Sequence, residues 1–264
     1  MAGMNILVCL KQVPGTTQVK IDPQTNTLVR QGIESICNPF DTYALEEGIR
    51  LRERYGGKVT ALSMGPPQAE PMLKEAISIG ADEAILLSDS AFAGSDTLAT
   101  ASTLARAVVK IGSCDLIICG RQTLDGDTGQ VGPELAEMLG ISFVAYVSKV
   151  EEVDRDGMRV QRMVEDGHEV MKVELPAVMT VVKEINIPRL PSLRGMVRAK
   201  SATIPVWTAR ELGVAAGEVG MPASATQVIR VFFPQRVSKG EMLPGDAEAQ
   251  AESLVTRLRE SKLI

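Results

Sequence analysis

Two hydrophobic periods alternate along roughly the first 148 residues. Apolar runs at Asn5–Leu10, Lys58–Met64, Glu83–Leu87, Asp115–Cys119 and Ser142–Val147 have the length of buried strands and end at turn residues. Between them apolar positions fall three and four apart, the spacing that gathers them on one helical face. Asp41 is the expected N-cap of a first helix through Arg54, with Leu45 and Ile49 inward and Gly56-Gly57 as its stop. Gln68–Ile79 repeats the pattern with Leu73, Ala76 and Ile77 and closes at Gly80. Asp96 opens a third helix with a stripe of Leu98, Ala101, Ala105 and Val108, ending before Gly112. Val131, Leu135 and Met138 mark a fourth, stopped at Gly140. This alternation predicts a doubly wound, mostly parallel α/β sheet, whose ligand binds where the strands end and their order reverses.

After residue 148 the pattern changes. Asp156-Gly157 and Asp166-Gly167 are turn signals that divide Lys149–Leu175 into short strands, expected as an antiparallel meander on the sheet edge. Ala177–Val182 reads as one more buried strand. Beyond Lys183 the chain is interrupted by Pro188, Pro191, Pro205, Pro222, Pro234 and Pro244, with no sustained period until its last segment. There Ala247, Ala251, Leu254 and Leu258 share a helical face. The expected organisation is an α/β domain over 1–183, an extended segment over 184–236 that lies on something else, and an arm over 237–264 ending in a helix.

Composition narrows the function classes. The chain has 264 residues, and 28 Lys and Arg against 33 Asp and Glu give a net charge of −5, which argues against nucleic acid or an anionic membrane surface as partner. Cys9, Cys37, Cys114 and Cys119 form neither a disulfide framework nor a metal knuckle, so a reduced, cytoplasmic protein is expected. No apolar run approaches the roughly 20 residues of a membrane span, and no secretory signal precedes the first strand. His168 is the only histidine, which leaves no multi-histidine metal site, and no metal is expected. Beside the Asp166-Gly167 turn it reads as a solvated hairpin residue.

Chemistry is concentrated in the loop after the fourth strand, Gly120-Arg121-Gln122-Thr123-Leu124-Asp125-Gly126-Asp127-Thr128-Gly129-Gln130-Val131-Gly132-Pro133. Glycines let a backbone approach a ligand, and the free N–H groups of a first helical turn suit a phosphate. Thr128 and Gln130 add neutral donors; Asp125 and Asp127 repel a phosphate but are able to cap the turn or accept from a ribose hydroxyl. The sequence is neither a Walker A loop nor a GxGxxG fingerprint, and a plain glycine-rich turn with a capped helix stays open as the alternative. Convergence favours a ligand. Leu10–Pro14 and Met64–Pro67, after the first and second strands, open on the same edge, and Asn38-Pro39-Phe40-Asp41 reaches it too, outlining a nucleotide-sized cleft. Cys9 reads as a small buried filler rather than a nucleophile. Arg189, Arg194, Arg198 and Lys200 are either an ordinary solvated face or a docking surface for an acidic partner.

The order Cys9-Leu10-Lys11-Gln12-Val13-Pro14, Val19-Lys20-Ile21-Asp22, Asn38-Pro39-Phe40-Asp41, Met64-Gly65-Pro66-Pro67, Ala76–Asp82 and the Gly120–Pro133 loop resembles the β subunit of electron-transferring flavoproteins over essentially the whole chain. The segment from Asn186 through Leu193 to Lys200 is similar to the loop with which that subunit docks on a dehydrogenase. The resemblance implies a heterodimer with an α subunit clasped by the C-terminal arm. The Asp125–Pro133 sequence, with Asn38–Asp41 and the long Val13–Arg30 loop, looks like the electron-bifurcating branch, in which the β subunit binds an FAD that takes a hydride from NADH. One electron then goes to ferredoxin and the other, through the α-subunit FAD, to a flavin dehydrogenase of the acyl-CoA/enoyl-CoA reductase or lactate dehydrogenase type.

The alternatives are the AMP-binding branch, whose β subunit is a binding and docking subunit, and, from another class, a stand-alone nucleotide-binding stress or signalling protein. No catalytic acid, base or nucleophile is implied. The implied cofactor contacts are Cys9, Leu10, Lys11, Asn38, Pro39, Phe40, Asp41, Met64, Gly65, Gly120, Arg121, Thr123, Asp125, Gly126, Asp127, Thr128, Gly129, Gln130 and Val131, with Arg189, Leu193, Arg194, Arg198 and Lys200 on the partner.

Overall fold

The computed structural model describes residues 3–15, 20–21, 28–29, 35–154, 157–229 and 240–264. In chain order its elements are β1 (Met4–Cys9), β2 (Gln12–Pro14), β3 (Lys20–Ile21), β4 (Leu28–Val29), β5 (Ser35–Cys37), α1 (Pro39–Tyr55), β6 (Gly57–Met64), α2 (Glu70–Ile79), β7 (Glu83–Leu87) and α3 (Thr97–Ile111). They continue with β8 (Leu116–Gly120), α4 (Val131–Leu139), β9 (Ser142–Asp154), β10 (Gly157–Val164), β11 (Gly167–Val173), β12 (Ala177–Val181), α5 (Leu193–Ser201), β13 (Val206–Trp207), α6 (Gly220–Ala223) and α7 (Ala247–Glu260).

Nine strands form one sheet in the order β11-β10-β9-β12-β8-β1-β6-β7-β13. Pairings from β9 to β13 are parallel, and β9, β10 and β11 form the antiparallel edge meander. Alternation along β1 explains why its run is almost continuously apolar. Ile6 and Val8 pack with Leu45 and Ile49 of α1 and Leu73 of α2, while Leu7 faces Leu104 and Val108 of α3 and Leu135 of α4 on the other side. The chain leaves β1 toward β6 and β7, then returns to β1's other side with β8. The junction of β1 and β8 is therefore the switch point where a ligand crevice is expected.

Several expected details are corrected. The first helix starts at Pro39 with Asn38 as N-cap, and Asp41 lies in its first turn. The strand expected to stop at Val147 runs on to Asp154. The buried strand expected at Ala177 is present, and it lies between β8 and β9, in the middle of the sheet. Leu98 and Met138, expected on inward stripes, are exposed, and Leu104 takes the inward place in α3. Of the turn Asp156-Gly157, Asp156 lies outside the described residues.

The boundary expected after Lys183 is not where the compact unit ends, since that unit is Met1–Ile229. Proline spacing hid real structure there. Helix α5 begins where Ser192 accepts the Gly195 N–H at 3.0 Å, and it meets the last turn of α2 so closely that a Cβ on Gly195 would stand 1.9 Å from the Ser78 carbonyl oxygen. Ala199 and Ile204 join the α1–α2 layer, Ala209 and Val219 the opposite one. The second unit, Arg230–Ile264, contains α7, capped by Asp246 on the Ala249 N–H at 3.0 Å. Within it Arg257 is paired with Glu241, and no α7 residue is buried.

Candidate nucleotide site at the carboxyl edge of the sheet

The loops after β1, β6 and β8 open on one edge, because their strands are parallel neighbours. Cys9 ends β1 beside Cys119 of β8; the hydrogen bond between the two thiols, then burial, pushes the Cys9 thiol above its ordinary range. A neutral thiol there fills space. Leu10 is a core residue, with its N–H on the Leu62 carbonyl at 2.8 Å. Met64, at the end of β6, packs partly buried against the α3–α4 layer, and the Gly65 N–H donates to Leu87 O at 3.0 Å.

Asn38 and Asp41 are inside the protein, at 0% and 5% exposure. Asn38 Nδ2 donates to the Gln122 carbonyl at 2.8 Å and to Asp41 Oδ1 at 2.9 Å, and Asn38 Oδ1 accepts the Leu124 N–H at 3.2 Å. Asp41 Oδ2 accepts the Lys11 N–H at 2.8 Å. Burial pushes the Asp41 carboxyl up to about 7, against the pull of Asn38 and of the Lys11 and Gly120 N–H groups. Gly120 is required at this junction, since a Cβ would lie 2.4 Å from Asp41 Oδ1 and 2.7 Å from the Phe40 carbonyl carbon. Pro39 occupies the first turn of α1, and the Phe40 ring lies 5.5 Å beneath the Arg121 guanidinium.

The loop from Arg121 to Gln130 is mostly exposed. Lys11 Nζ bridges to Asp125 at 2.7 Å. Burial raises the Asp125 carboxyl, but the Lys11 ammonium and the Thr123 hydroxyl outweigh it and hold the group below its ordinary range. Thr123 turns the chain, its hydroxyl taking the Gly126 N–H at 3.3 Å and its carbonyl the Asp127 N–H at 3.0 Å. Gln122 Nε2 donates to Asp127. Asp127 and Gly129 have φ of 53° and 63°, left-handed values that Asp tolerates and Gly adopts freely. Thr128 stands between them on the exposed stretch. Gln130 is the N-cap of α4 but makes no side-chain cap bond, whereas Asp96 caps α3 on the Ala99 N–H at 2.9 Å. The first turn of α4, from Val131, thus keeps donors without a side-chain acceptor, at the positive end of the helix dipole.

One feature gave no sequence signal. Tyr146, inside β9, has φ of 58°, a costly conformation for a bulky residue. It sits where the β12–β9 register shifts, its N–H on Thr180 Oγ1 at 3.2 Å. Its ring lies 5.9 Å from the Arg121 guanidinium. Arg121, Tyr146, Arg162, Met163, Val164, Glu165 and Val182 line a concavity of about 400 Å³ beside the β8 loop. A period-two strand pattern carries no mark of one residue with reversed φ.

The five expected partner contacts divide. Arg189 grips α1, its guanidinium on Glu46 at 2.8 Å and Glu53 at 2.6 Å. Arg198 donates to the Ile77 and Ala81 carbonyls at 2.7 and 2.5 Å, closing the end of α2. Leu193, Arg194 and Lys200 stay exposed. Leu193 (81%) is exposed, as are its apolar neighbours in sequence Ile187 (81%), Leu190 (86%) and Val197 (69%). Among the described residues no cluster of His, Cys, Asp and Glu is arranged for a metal, and no helix is long and apolar enough to cross a membrane.

Residues 25–212 match the electron transfer flavoprotein domain family. The chain is 48% identical to the electron transfer flavoprotein subunit beta of Thermoanaerobacterium thermosaccharolyticum, covering 99% of this chain and all of the relative. It is 46% identical to the caffeyl-CoA reductase-Etf complex subunit CarD of Acetobacterium woodii, covering 99% and 100%, and 43% identical to the protein FixA of Azorhizobium caulinodans, covering 98% and 96%. A doubly wound sheet with an open helix N-terminus at its switch point is shared by many nucleotide binders, but agreement at this level along the whole length is not, and the chain belongs to the electron transfer flavoprotein β-subunit family.

Proposed function

We propose that this β subunit binds FAD at the loop after β8 and serves, with an α subunit, in an electron-bifurcating flavoprotein that takes a hydride from NADH and divides the electrons between ferredoxin and a flavin dehydrogenase. The observation that carries the nucleotide is the first turn of α4, uncapped by any side chain and preceded by the left-handed Gly129, at the switch point. The residues fit such a group: Gly126–Val131 for the pyrophosphate, and Cys9, Lys11, Met64 and Gly65 along the adenosine path. When bound, FAD supplies hydride acceptance and one-electron release, which no side chain of this site provides. The protein's part is to position and exclude. Arg121, held between the Phe40 and Tyr146 rings, places a fixed cation at the mouth of the concavity.

Similarity to a subunit named for a caffeyl-CoA reductase complex supports the bifurcating branch and an enoyl-CoA reductase type of acceptor; a lactate dehydrogenase type is the other candidate. The concavity beyond Arg121 supports FAD over AMP, because the edge stays hollow past the phosphate loop. The exposed apolar stretch from Ile187 to Val197 is the proposed dehydrogenase contact, with Arg194 and Lys200 as its charged rim. Residues 237–264 are the proposed clasp on the α subunit, since α7 buries none of its own residues. Nucleotide released from the purified heterodimer tests the assignment. Two FAD per heterodimer are expected, one FAD with one AMP selects the AMP-binding branch, and no nucleotide on this subunit overturns the site.

A further inference from the structure

We infer that Asn186 and Arg189 are positioning residues of the partner contact: they clamp the extended stretch 186–189 onto a polar face of α1, so that Leu190, Leu193 and Arg194 stand in their docking arrangement before a partner arrives. The inference rests on the proposed dehydrogenase contact and adds what holds that contact in shape.

Tyr43, Glu46, Glu47, Arg50 and Glu53 fall at i, i+3, i+4, i+7 and i+10 and so share one face of α1. Asn186 Nδ2 donates to the Tyr43 carbonyl at 3.0 Å and to Glu47 Oε2 at 3.1 Å. Arg50 Nη2 donates to the Ile187 carbonyl at 3.3 Å. Glu46 Oε2 accepts the Arg189 N–H at 3.2 Å and Arg189 Nε at 2.8 Å, and Glu53 takes both terminal nitrogens of the same guanidinium, at 2.6 and 2.9 Å. Pro188 has no N–H to satisfy. The Ile187 carbonyl and the Arg189 N–H, which an irregular stretch ordinarily leaves to water, are both met by side chains of one helix.

The cost of this clamp shows that burial alone is not its purpose. Glu46, Glu47 and Asn186 are 2%, 7% and 8% exposed, and Asn186 Oδ1 is buried with no hydrogen-bond partner among the described residues. Desolvating such groups cancels much of what their pairing gains, and apolar side chains hold a stretch to a helix as firmly. What apolar packing lacks is orientation, whereas a guanidinium shared by two carboxylates fixes direction as well as distance. The far end of the segment is anchored separately, by Ser192 on the Gly195 N–H, by Gly195 against the Ser78 carbonyl and by Arg198 on the Ile77 and Ala81 carbonyls. Only Leu190 and Pro191 lie between the two anchors, and the proline ring fixes its own φ. Leu190 and Leu193 are thus held outward, exposed, beside Arg194, which has no carboxylate partner among the described residues. That combination suits a dehydrogenase surface with an apolar recess and an acidic rim. A mobile segment loses its freedom on docking, while one already clamped has lost it on folding.

The test uses the full heterodimer, with NADH as donor and a flavin-containing enoyl-CoA reductase with its enoyl-CoA as acceptor. It reads the KM for the heterodimer in electron delivery, the kcat, and hydrogen exchange of the peptide 186–197 in the heterodimer alone. Arg189→Gln should raise that KM about tenfold, the scale of one or two backbone residues left to be ordered on docking. Its kcat and its flavin reduction by NADH should stay unchanged, and exchange in 186–197 should quicken. Asn186→Ala should act in the same direction. Arg189→Lys keeps the charge but not the two-pronged grip and should recover less than half of the loss; full recovery would make Arg189 a surface charge of the contact and overturn the inference. The loss should persist at about 0.5 M salt, where the effect of an exposed charge such as Arg194 is screened. Should Arg189→Gln fail to fold, Glu53→Gln at the more exposed end of the clamp decides, with a KM increase of about threefold expected. Wild-type KM and exchange in all these variants, or a fall in kcat at constant KM, overturns the positioning role. Faster exchange in the clamp variants with delivery indifferent to Leu193→Ala overturns the docking reading instead, as does a wild-type heterodimer that delivers electrons neither to the reductase nor to a flavin-dependent lactate dehydrogenase.

Discussion

Helix α1 is gripped at its start by the loop after β8 and along its outer face by the segment before α5, and the two grips use polar groups in opposite senses. At the helix start the side chains of Asn38 and Asp41 bond each other and the backbone of Lys11, Gln122 and Leu124, beside a helix α4 that begins without a side-chain cap. On the outer face, Glu46 and Glu53 draw in Arg189, Asn186 Nδ2 donates to the Tyr43 carbonyl at 3.0 Å, and what stays outside is an apolar stretch. The first arrangement lies at the edge proposed for the nucleotide, and the second leaves Leu193 and its neighbours exposed on the face proposed for a protein partner.

Steric substitutions should separate the two regions most sharply. Gly120→Val drives a side chain into Asp41 Oδ1 and Phe40 and should cost more than ~3 kcal/mol of stability, read by urea unfolding, with loss of nucleotide. Gly195→Val meets Ser78 O even more closely, yet it should detach α5 while nucleotide is retained. Loss of nucleotide in that variant would join the two regions into one.

Gly132 and Gly129 refine the phosphate loop. A Cβ on Gly132 would stand 2.6 Å from Thr180 Cγ2, so Gly132→Val should lower stability by about 1–3 kcal/mol. Gly129 has open space, with Arg121 O at 3.4 Å, but a left-handed φ. Gly129→Val should cost about 1–2 kcal/mol and weaken binding more, per unit of stability lost, than Gly132→Val. Denaturation and nucleotide titration on the same samples give both quantities.

Arg189→Gln should lower stability by roughly 1 kcal/mol, because Glu46 keeps Arg50 at 2.5 Å after the second arginine is gone. Electron delivery to the dehydrogenase should slow while reduction by NADH is unchanged, as stopped-flow beside a coupled assay would resolve.

Asp41 adds a pH dependence. Raised from 3.8 to about 7 in the folded chain, it holds a proton that the unfolded chain has already released between those values. Its contribution to stability is therefore complete below about pH 4 and is lost as pH rises through 7. The stability of the wild type relative to Asp41→Asn should fall between pH 4.5 and 7.5; a constant difference would show that Asp41 does not titrate in this range.

Leu193→Ala has the smallest effect on stability, within about 0.5 kcal/mol for an exposed side chain, while the coupled assay should still register a slower transfer.

The sheet and four of its helices were legible because each strand and helix writes its own period. Asp96 and Gly140 did act as start and stop. Asp41 was misread as a cap because an acidic residue near a helix start looks the same whether it accepts from its own helix or from Lys11. Helix α5 was missed because prolines precede it and its contact with α2 depends on Gly195, a residue that reads as a breaker until a carbonyl is found against it. The loop after β8 was visible as glycines, whereas Tyr146 was not, since reversed φ in a strand comes from register with β12 rather than from local sequence. Arg189 and Arg198 looked like Arg194; only the tertiary position of Glu46 and of the end of α2 distinguishes them.

The place of β12 has a consequence for synthesis. It is the eighth strand of the sheet to be translated, it is wholly buried, and it lies between β8 and β9. Until residue 181 has left the ribosome, β8 has an open flank of apolar backbone and the β9–β11 meander has no place to attach. Nascent chains extend at about 5–20 residues per second, so the interval from Gly120 to Val181 exposes that flank for several seconds. A chain halted before Ala177 should consequently be a chaperone client and an aggregation seed, whereas one halted after Ile229 should not.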